Sequence, residues 1–441
     1  MNIRDYLEID FPLFLASLVL TVIGILFIYS SGVTPLGVQV SNEYTRQIIW
    51  AAAGIVILLT ISLVNYKRIY DFSIYLYAGV LLLLIYTCTF GRMVNPDSAG
   101  IGGRWINIGN FSLQPSEFAK ITTILFLARY LDFTKHNNNV IIRFAISCII
   151  VLVPMFIITI QPDLGNALVF IPILLTMTFI GGIPMRYVVF LAGCVVLVSL
   201  MTLLPLWQQI ILREEFPSIM ILLNPRFILI SLLVFSFVAG ISYFGHNRYR
   251  KQYFFWICYM AIMLSISLAG SFIAHKVLRE YQLMRLIVFL DPQVDPRGSG
   301  WHIIQSMTAI GSGGMMGKGF LQGTQSQYRF LPTQSTDFIF SIFSEEWGFL
   351  GGLLIIALFL LICLRLIRLI RITSDTFGAY IAAGLAALYG FHFFINTGMA
   401  MGIMPITGIP LLFMSYGGSA LITAMAGIGL AMSIHVRRFD R

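Results

Sequence analysis

The chain has 441 residues, of which 58% are hydrophobic and 11% charged, and its mean hydropathy is +0.87. A soluble domain could neither bury that much apolar surface nor stay in solution with it, so the composition indicates an integral membrane protein. The net charge of +9 comes from basic residues spread through short segments. That pattern orients helices in a bilayer, and we expect no nucleic-acid partner.

Apolar runs long enough to cross about 30 Å of hydrocarbon recur along the whole chain. They predict an all-α, polytopic membrane bundle of about 12 transmembrane helices, with residues 1–441 forming a single membrane domain. The predicted spans are residues 13–30, 47–64, 72–90, 117–131, 144–160, 164–182, 187–206, 227–244, 253–273, 346–364, 377–395 and 415–434. The first is typical of an uncleaved signal anchor, because no small-residue cleavage site precedes the next loop.

Loops rich in Lys and Arg alternate with loops that carry few, which predicts that both termini are cytoplasmic. Two segments on the outer side, residues 91–116 and 274–345, are too long and too rich in Gly and Pro to be simple turns. We expect function to lie in them. The second is a large extracytoplasmic loop with a basic excess. That excess either suits an anionic ligand or reflects the tolerance of long translocated loops for charge.

Residues 114–120 form a helix start at the outer end of the fourth span, with Pro115 before Ser116 as the expected N-cap. Glu117 and Lys120, three residues apart, share a helix face and can pair. The pair is either a stabilising feature of the helix start or a functional one. Ionisable residues at membrane depth are costly and usually face a polar cavity.

Further acids lie where the chain enters or leaves the membrane. Asp163, within residues 161–165, fits an ordinary turn as well as it fits a functional site. Asp337, Glu345 and Glu346 stand where the outer loop re-enters the membrane, and each could cap a helix or bind a neighbouring Arg.

Residues 311–319 resemble a phosphate-binding loop in their glycine content. Ser312 stands at the first Gly of that motif and Gly319 at its Ser/Thr, so a nucleotide loop is excluded. A weaker hypothesis remains, in which exposed backbone N–H groups beside Lys318 cradle a pyrophosphate.

Residues 290–301 contain two Asp-Pro pairs, which give a rigid, kinked loop just outside the predicted bilayer. By spacing alone this loop is a turn. An Asp beside apolar surface and several cations can nevertheless be positioned as a general base, and Asp295 is the candidate.

Together these segments resemble a known family. The motifs that occur in one order are residues 114–120, the Asp-Pro loop ending at Trp301, residues 302–306, 323–327 and 336–340, and Pro410 with residues 415–419. This order resembles the SEDS family of shape, elongation, division and sporulation proteins. Residues 323–327 and the short C-terminal tail are most like its elongation branch.

The chain departs from the family pattern in two ways. Residues 207–273 look like an inserted helical pair where the family usually has ten spans, and two added spans preserve the sidedness of everything downstream. Ser335 stands where the family commonly shows His, and Trp301 where Tyr is usual. A role for an imidazole at position 335 therefore does not carry over.

The resemblance implies a peptidoglycan glycosyltransferase of the bacterial inner membrane that acts during cell elongation. Its substrates would be lipid II and the nascent glycan strand, and its partners a class B penicillin-binding protein and membrane lipids. Asp295 would be the general base on the extracytoplasmic face. The candidate substrate-binding residues are Trp105, Glu117, Lys120, Asp163, Arg297, Lys318 and Asp337. No nucleotide is expected, and a divalent cation, Mg²⁺ or Mn²⁺, is the cofactor that the chemistry allows.

Two other functions stay open from the sequence. A lipid II flippase or other transporter would use Glu117, Lys120 and Asp163 as a gated polar path, although no inverted repeat is evident in the two halves. A non-catalytic scaffold for the penicillin-binding protein is the third. Polymerisation of purified lipid II by the reconstituted protein separates these functions.

Overall fold

The structure is a computed structural model that describes residues 10–90, 103–108, 111–136, 139–212, 219, 221–278, 280–296, 298–331 and 333–439. The chain divides into two compact units. One comprises residues 1–183 and 302–441, and the other comprises residues 184–301.

The first unit opens with helices on either side of a short hairpin. The helices are α1 (Phe11–Ser31), α2 (Glu43–Leu63), α3 (Tyr66–Phe90), α4 (Pro115–Phe133), α5 (Val140–Ile160), α6 (Leu164–Leu168) and α7 (Phe170–Ile180). The hairpin precedes α4 and consists of antiparallel strands β1 (Ile106–Ile108) and β2 (Phe111–Leu113), with Ile106 opposite Leu113.

The second unit contains α8 (Met185–Trp207), α9 (Pro225–Tyr249), α10 (Gln252–Val277) and α11 (Glu280–Val288). A π-helical turn, Gln208–Leu212, extends α8, and 3₁₀ turns lie at Ile221–Leu223 and Pro292–Val294. Helices α9 and α10 form a hairpin in the region predicted to be an inserted helical pair. The predicted outer loop, residues 274–345, carries helices of its own, α11, α12 (Ser299–Ser312) and α13 (Thr324–Gln327).

The rest of the first unit consists of α14 (Ile339–Ile372), α15 (Thr376–Ala400) and α16 (Gly418–Val436). Each of the twelve predicted spans coincides with a helix or a pair of helices. In the described part of the chain, ten helices are long and apolar enough to cross a membrane. These findings confirm the prediction of an all-α, polytopic membrane protein. The two predicted spans outside these ten are the charged α4 and the short pair α6–α7, which together cover Leu164–Ile180.

Two helices differ in detail from the prediction. Helix α4 begins at Pro115 with Gln114 as its N-cap, so the expected N-cap at Ser116 is wrong. The fixed φ of proline suits the first helical position, and the helix therefore starts two residues earlier than an N-cap at Ser116 would place it. Helix α14 is 34 residues long and is kinked at Gly348, whose φ of 67° favours glycine.

The core of the first unit surrounds a stretch without helix, residues 401–417, called here the irregular segment. It lies between α15 and α16, and its Leu411, Phe413 and Met414 are 0–1% exposed. The Gln47 side chain donates to the Ser415 carbonyl (3.1 Å) and accepts from the Gly417 N–H (3.2 Å). Side chains from neighbouring helices thus satisfy backbone groups that no helix ladder can satisfy.

Candidate functional site

The Glu117 and Lys120 side chains meet a third ionisable residue inside the first unit. Lys120 Nζ lies 2.8 Å from Glu117 Oε1 and 3.1 Å from His392 Nε2. The three residues are 2%, 1% and 0% exposed, respectively. The predicted pairing of Glu117 with Lys120 is confirmed. We call these three residues the Lys120 cluster.

The tautomer of His392 follows from its second contact. His392 Nδ1 lies 3.0 Å from the carbonyl oxygen of Pro410, and a carbonyl can only accept a hydrogen bond. Nδ1 therefore carries the proton, and Nε2 offers its lone pair to the Lys120 ammonium. His392 was not among the residues predicted from the sequence. The signal was present, since a histidine inside a predicted span is a costly residue that needs partners.

Asp163 lies at the start of α6, where it serves as the helix N-cap. Its carboxylate accepts from the Asn166 N–H (3.4 Å), the Asn166 side-chain amide (3.0 Å) and the Gln114 amide (2.9 Å). Arg104 lies 3.8 Å away as its cation. The turn interpretation therefore describes Asp163 correctly, and the carboxylate has in addition a charged partner that the sequence did not single out.

The start of α6 is pressed against both α4 and the irregular segment. The Asn166 amide lies 3.4 Å from Ser116 Oγ, directly before Glu117. A Cβ at Gly165 would stand 2.3 Å from the carbonyl oxygen of Thr407, so this close approach requires glycine. The Asp163 turn and the Lys120 cluster thus adjoin through the first turn of α4.

Trp105 and Asp337 are half-buried residues of this unit. Trp105 is half-buried just before β1 and follows Arg104, whose Nε donates to the carbonyl oxygen of Gln161 (2.8 Å). The Asp337 carbonyl oxygen accepts from the Asn396 side-chain amide (2.9 Å). Asn396 lies one turn after His392, so α15 ties the Asp337 turn to the face that carries the Lys120 cluster.

Asp295, in the second unit, is held by the start of α12. Its two carboxylate oxygens accept from the N–H groups of Gly298 (3.0 Å) and Ser299 (2.8 Å). Asp291 accepts in the same way from the Gln293 N–H (2.9 Å). Both carboxylates therefore stabilise turns, as the spacing of the two Asp-Pro pairs indicates. For Asp295 this also fixes the carboxylate, which keeps lone pairs free for a proton. The predicted Arg297 falls outside the described residues.

Lys318 belongs to a different buried group of the first unit. Its ammonium lies 2.7 Å from Glu345 Oε1 and 2.7 Å from Thr324 Oγ1. Glu345 is fully buried and also accepts from the N–H groups of Gln325 (3.0 Å) and Ser326 (3.3 Å). The Lys318 side chain is 26% exposed. Glu345 of α14 therefore binds both Lys318 and the backbone of the loop that follows Lys318.

The hypothesis that free backbone N–H groups beside Lys318 cradle a pyrophosphate is wrong. The Lys318 N–H donates to the carbonyl oxygen of Glu345 (3.0 Å), and the Gly319 N–H donates to that of Glu346 (2.9 Å). The kink at Gly348 interrupts the helix and exposes these carbonyls to the glycine-rich segment. Glu346 itself accepts from Ser30 Oγ (2.5 Å).

Lys318→Met should lower the midpoint of thermal unfolding, because it leaves the Glu345 carboxylate buried without its cation, at a cost of about 3–5 kcal/mol. Lys318→Met combined with Glu345→Gln should recover most of that loss. Thermal unfolding of the detergent-purified variants measures both. An unchanged midpoint in the single variant would show that Glu345 does not depend on Lys318.

The comparisons with known proteins agree on a family. The sequence profile of the FtsW/RodA/SpoVE family of cell cycle proteins matches residues 11–226 and 230–439. Peptidoglycan glycosyltransferase RodA of Treponema pallidum is 50% identical over 439 residues, which cover 99% of this chain and 100% of that protein. Peptidoglycan glycosyltransferase MrdB of Escherichia coli K12 is 32% identical over 442 residues, covering 98% and 95%.

Solved structures share the fold. A chain of a peptidoglycan synthase complex superposes with a TM-score of 0.66 at 23% identity and covers 98% of this chain and 99% of its own length. RodA of Thermus thermophilus gives a TM-score of 0.61 at 22% identity, with 98% of both chains covered. Because the profile and the relatives match over nearly the full length, the chain belongs to the FtsW/RodA/SpoVE family, the SEDS family that its motifs resemble.

Proposed function

We propose that this chain polymerises lipid II into β-1,4-linked glycan strands on the outer face of the bacterial inner membrane during cell elongation. Relatives that match it over their full or nearly full length, RodA and MrdB, are peptidoglycan glycosyltransferases, and this chain is one as well. The observation that supports Asp295 as the catalytic residue is its fixed carboxylate, held by two backbone N–H groups.

In the proposed reaction Asp295 takes the proton from the GlcNAc 4-hydroxyl of lipid II. The hydroxyl oxygen attacks the anomeric carbon of the donor MurNAc, the bond to undecaprenyl pyrophosphate breaks, and the α-linked donor becomes a β-1,4 bond. One carboxylate is sufficient, because pyrophosphate leaves without protonation when cations stabilise its developing charge. The capped geometry supports this role, since it holds one carboxylate in one orientation.

The pyrophosphate needs cations, and Lys120, Arg297 and Lys318 are the ones proposed from the sequence. Between the two described lysines, Lys318 is the more accessible, with 26% of its side chain exposed. Lys120 is 1% exposed and already contacts an acid and an imidazole. It can serve only a substrate group that enters its cluster.

A divalent cation, Mg²⁺ or Mn²⁺, remains part of the proposal. In the part of the chain that the structure describes, no three His, Cys, Asp or Glu side chains are grouped to hold a metal ion. A hard cation of this kind is commonly held by one or two carboxylates together with substrate phosphates. The pyrophosphate would therefore supply part of its coordination.

The proposed partner is a class B penicillin-binding protein, whose transpeptidase would crosslink the strands. The likeness to a chain of a synthase complex that coordinates polymerisation and crosslinking supports it. The flippase alternative would use the same Lys120 cluster, whose residues are at most 2% exposed, so in either function a substrate group would have to enter the cluster.

Asp295→Asn should lower the polymerisation rate at least about 100-fold, because it removes the general base while nearly preserving shape. Gel analysis of glycan made from purified lipid II measures the rate. Asp291→Asn is the matched control, since it makes the same charge-removing change in the same loop, keeps an oxygen that can accept from the Gln293 N–H, and should stay active. Near-normal polymer from Asp295→Asn would remove Asp295 from the mechanism and strengthen the flippase alternative.

Glu117→Gln, Lys120→Met and the double variant test the pair at equal membrane abundance. If Lys120 binds substrate, the double variant should be as inactive as Lys120→Met, since restoring charge balance does not restore the missing donor. The more exposed pair Asp132 and Lys135, with the same spacing, is the control and should tolerate neutralisation better. Recovery of polymerisation in the double variant would rule out a binding role.

The proposed topology places both termini and the α9–α10 turn in the cytoplasm, because Arg248, Arg250 and Lys251 obey the positive-inside rule. A cysteine at the exposed Asn247, in a background without native cysteines, should resist an impermeant thiol reagent in intact spheroplasts. A cysteine at Leu36, 89% exposed in the loop after α1, should react. Labelling at position 247 would show that the twelve-span topology is wrong.

A further inference from the structure

We infer that His392 is a positioning residue for the glycosyl transfer and acts through Lys120, an inference that rests on the proposed function. Lysine has a flexible four-carbon stem and a compact ammonium with three donors. Glu117 accepts one donor at 2.8 Å, and His392 accepts a second at 3.1 Å. With two donors held by groups from different helices, the direction of the third is fixed, and a substrate oxygen that enters the cluster would meet it.

The imidazole can do this because its own orientation is fixed. Nδ1–H donates to the Pro410 carbonyl oxygen at 3.0 Å, which sets the rotation of the ring and leaves Nε2 as the acceptor. One turn further along α15, Asn396 donates to the carbonyl oxygen of Ile409 at 2.8 Å. Two neighbouring positions of α15 therefore clamp the irregular segment, and the clamp aligns the acceptor for Lys120.

A neutral acceptor suits this place better than a second acid. The Lys120 cluster is nearly sealed from solvent, so an additional carboxylate would leave a net negative charge buried at high cost. The Nδ1–H tautomer of His392 holds the ammonium and adds no charge. Glu117 and Lys120 then balance each other, and the lysine keeps one donor for the reaction.

Three substitutions separate the two contacts of the ring. His392→Gln keeps an oxygen that can accept from Lys120 but loses the donor to Pro410. His392→Asn keeps an amide that can donate to Pro410 but is too short to reach Lys120. His392→Phe keeps the ring volume and neither contact. Thr397→Val, which removes only a hydrogen bond within α15, is the matched control.

We expect kcat for lipid II polymerisation to fall about 100-fold in the Asn and Phe variants with little change in KM, because a misdirected donor weakens transition-state contacts. The Gln variant should keep most of kcat, and Thr397→Val should match the wild type. A folded Gln variant that loses kcat while the Asn variant keeps it would overturn the inference, because the Pro410 contact alone would then matter. Full activity in His392→Phe would overturn it as well.

Thermal unfolding of each variant reports whether it folds. If the Asn and Phe variants do not fold, the Gln variant decides alone, since it must retain kcat by virtue of its Lys120 contact. The wild-type reaction separates this inference from the proposed function. A wild-type protein that makes no polymer, alone or with its partner, refutes the function, whereas polymer from wild type and His392→Phe alike refutes only the role of His392.

Discussion

Backbone that leaves helical geometry inside a membrane protein must find hydrogen-bond partners within the protein, because lipid offers none. Between α15 and α16 this constraint requires polar side chains in the core that can hydrogen-bond to the backbone. Asn396 and His392 satisfy carbonyls of the irregular segment from α15, and Gln47 does so from α2. The candidate site uses the same machinery, since the imidazole that meets Pro410 also meets Lys120. A change of His392 therefore alters both the hydrogen bonding of the irregular segment and the geometry of the candidate site.

The glycine-rich segment before α14 also finds its hydrogen-bond partners within the protein, and here two acids of α14 supply them. Glu345 and Glu346 precede the kink at Gly348. Their carboxylates and backbone carbonyls accept hydrogen bonds from the glycine-rich segment and from the residues after it. In the second unit Asp295 receives the N–H groups that open α12. The carboxylates of Asp295 and Glu345 are thus partners of backbone N–H groups, which gives each side chain a fixed direction on a rigid element.

The sequence predicted what depends on local pattern. Run length located the helices, and a spacing of three residues paired Glu117 with Lys120. It could not locate contacts between distant segments. His392 lies 272 residues from Lys120 along the chain, and the acceptors that occupy the glycine-rich N–H groups belong to α14. The kink at Gly348 was missed for a similar reason, since a glycine within an apolar run fits a straight helix until its packing partners are known.

The kink also bears on how α14 meets a bilayer of varying thickness. At about 1.5 Å per residue, residues 349–372 extend about 36 Å, which already exceeds the hydrocarbon width of about 30 Å. The residues before Gly348 are therefore not needed for the crossing. Surplus length lies at the other end, where Arg365, Arg368 and Arg371 have long stems that can follow the headgroups. A thinner or thicker membrane can be accommodated there while Glu345 and Glu346 keep their place.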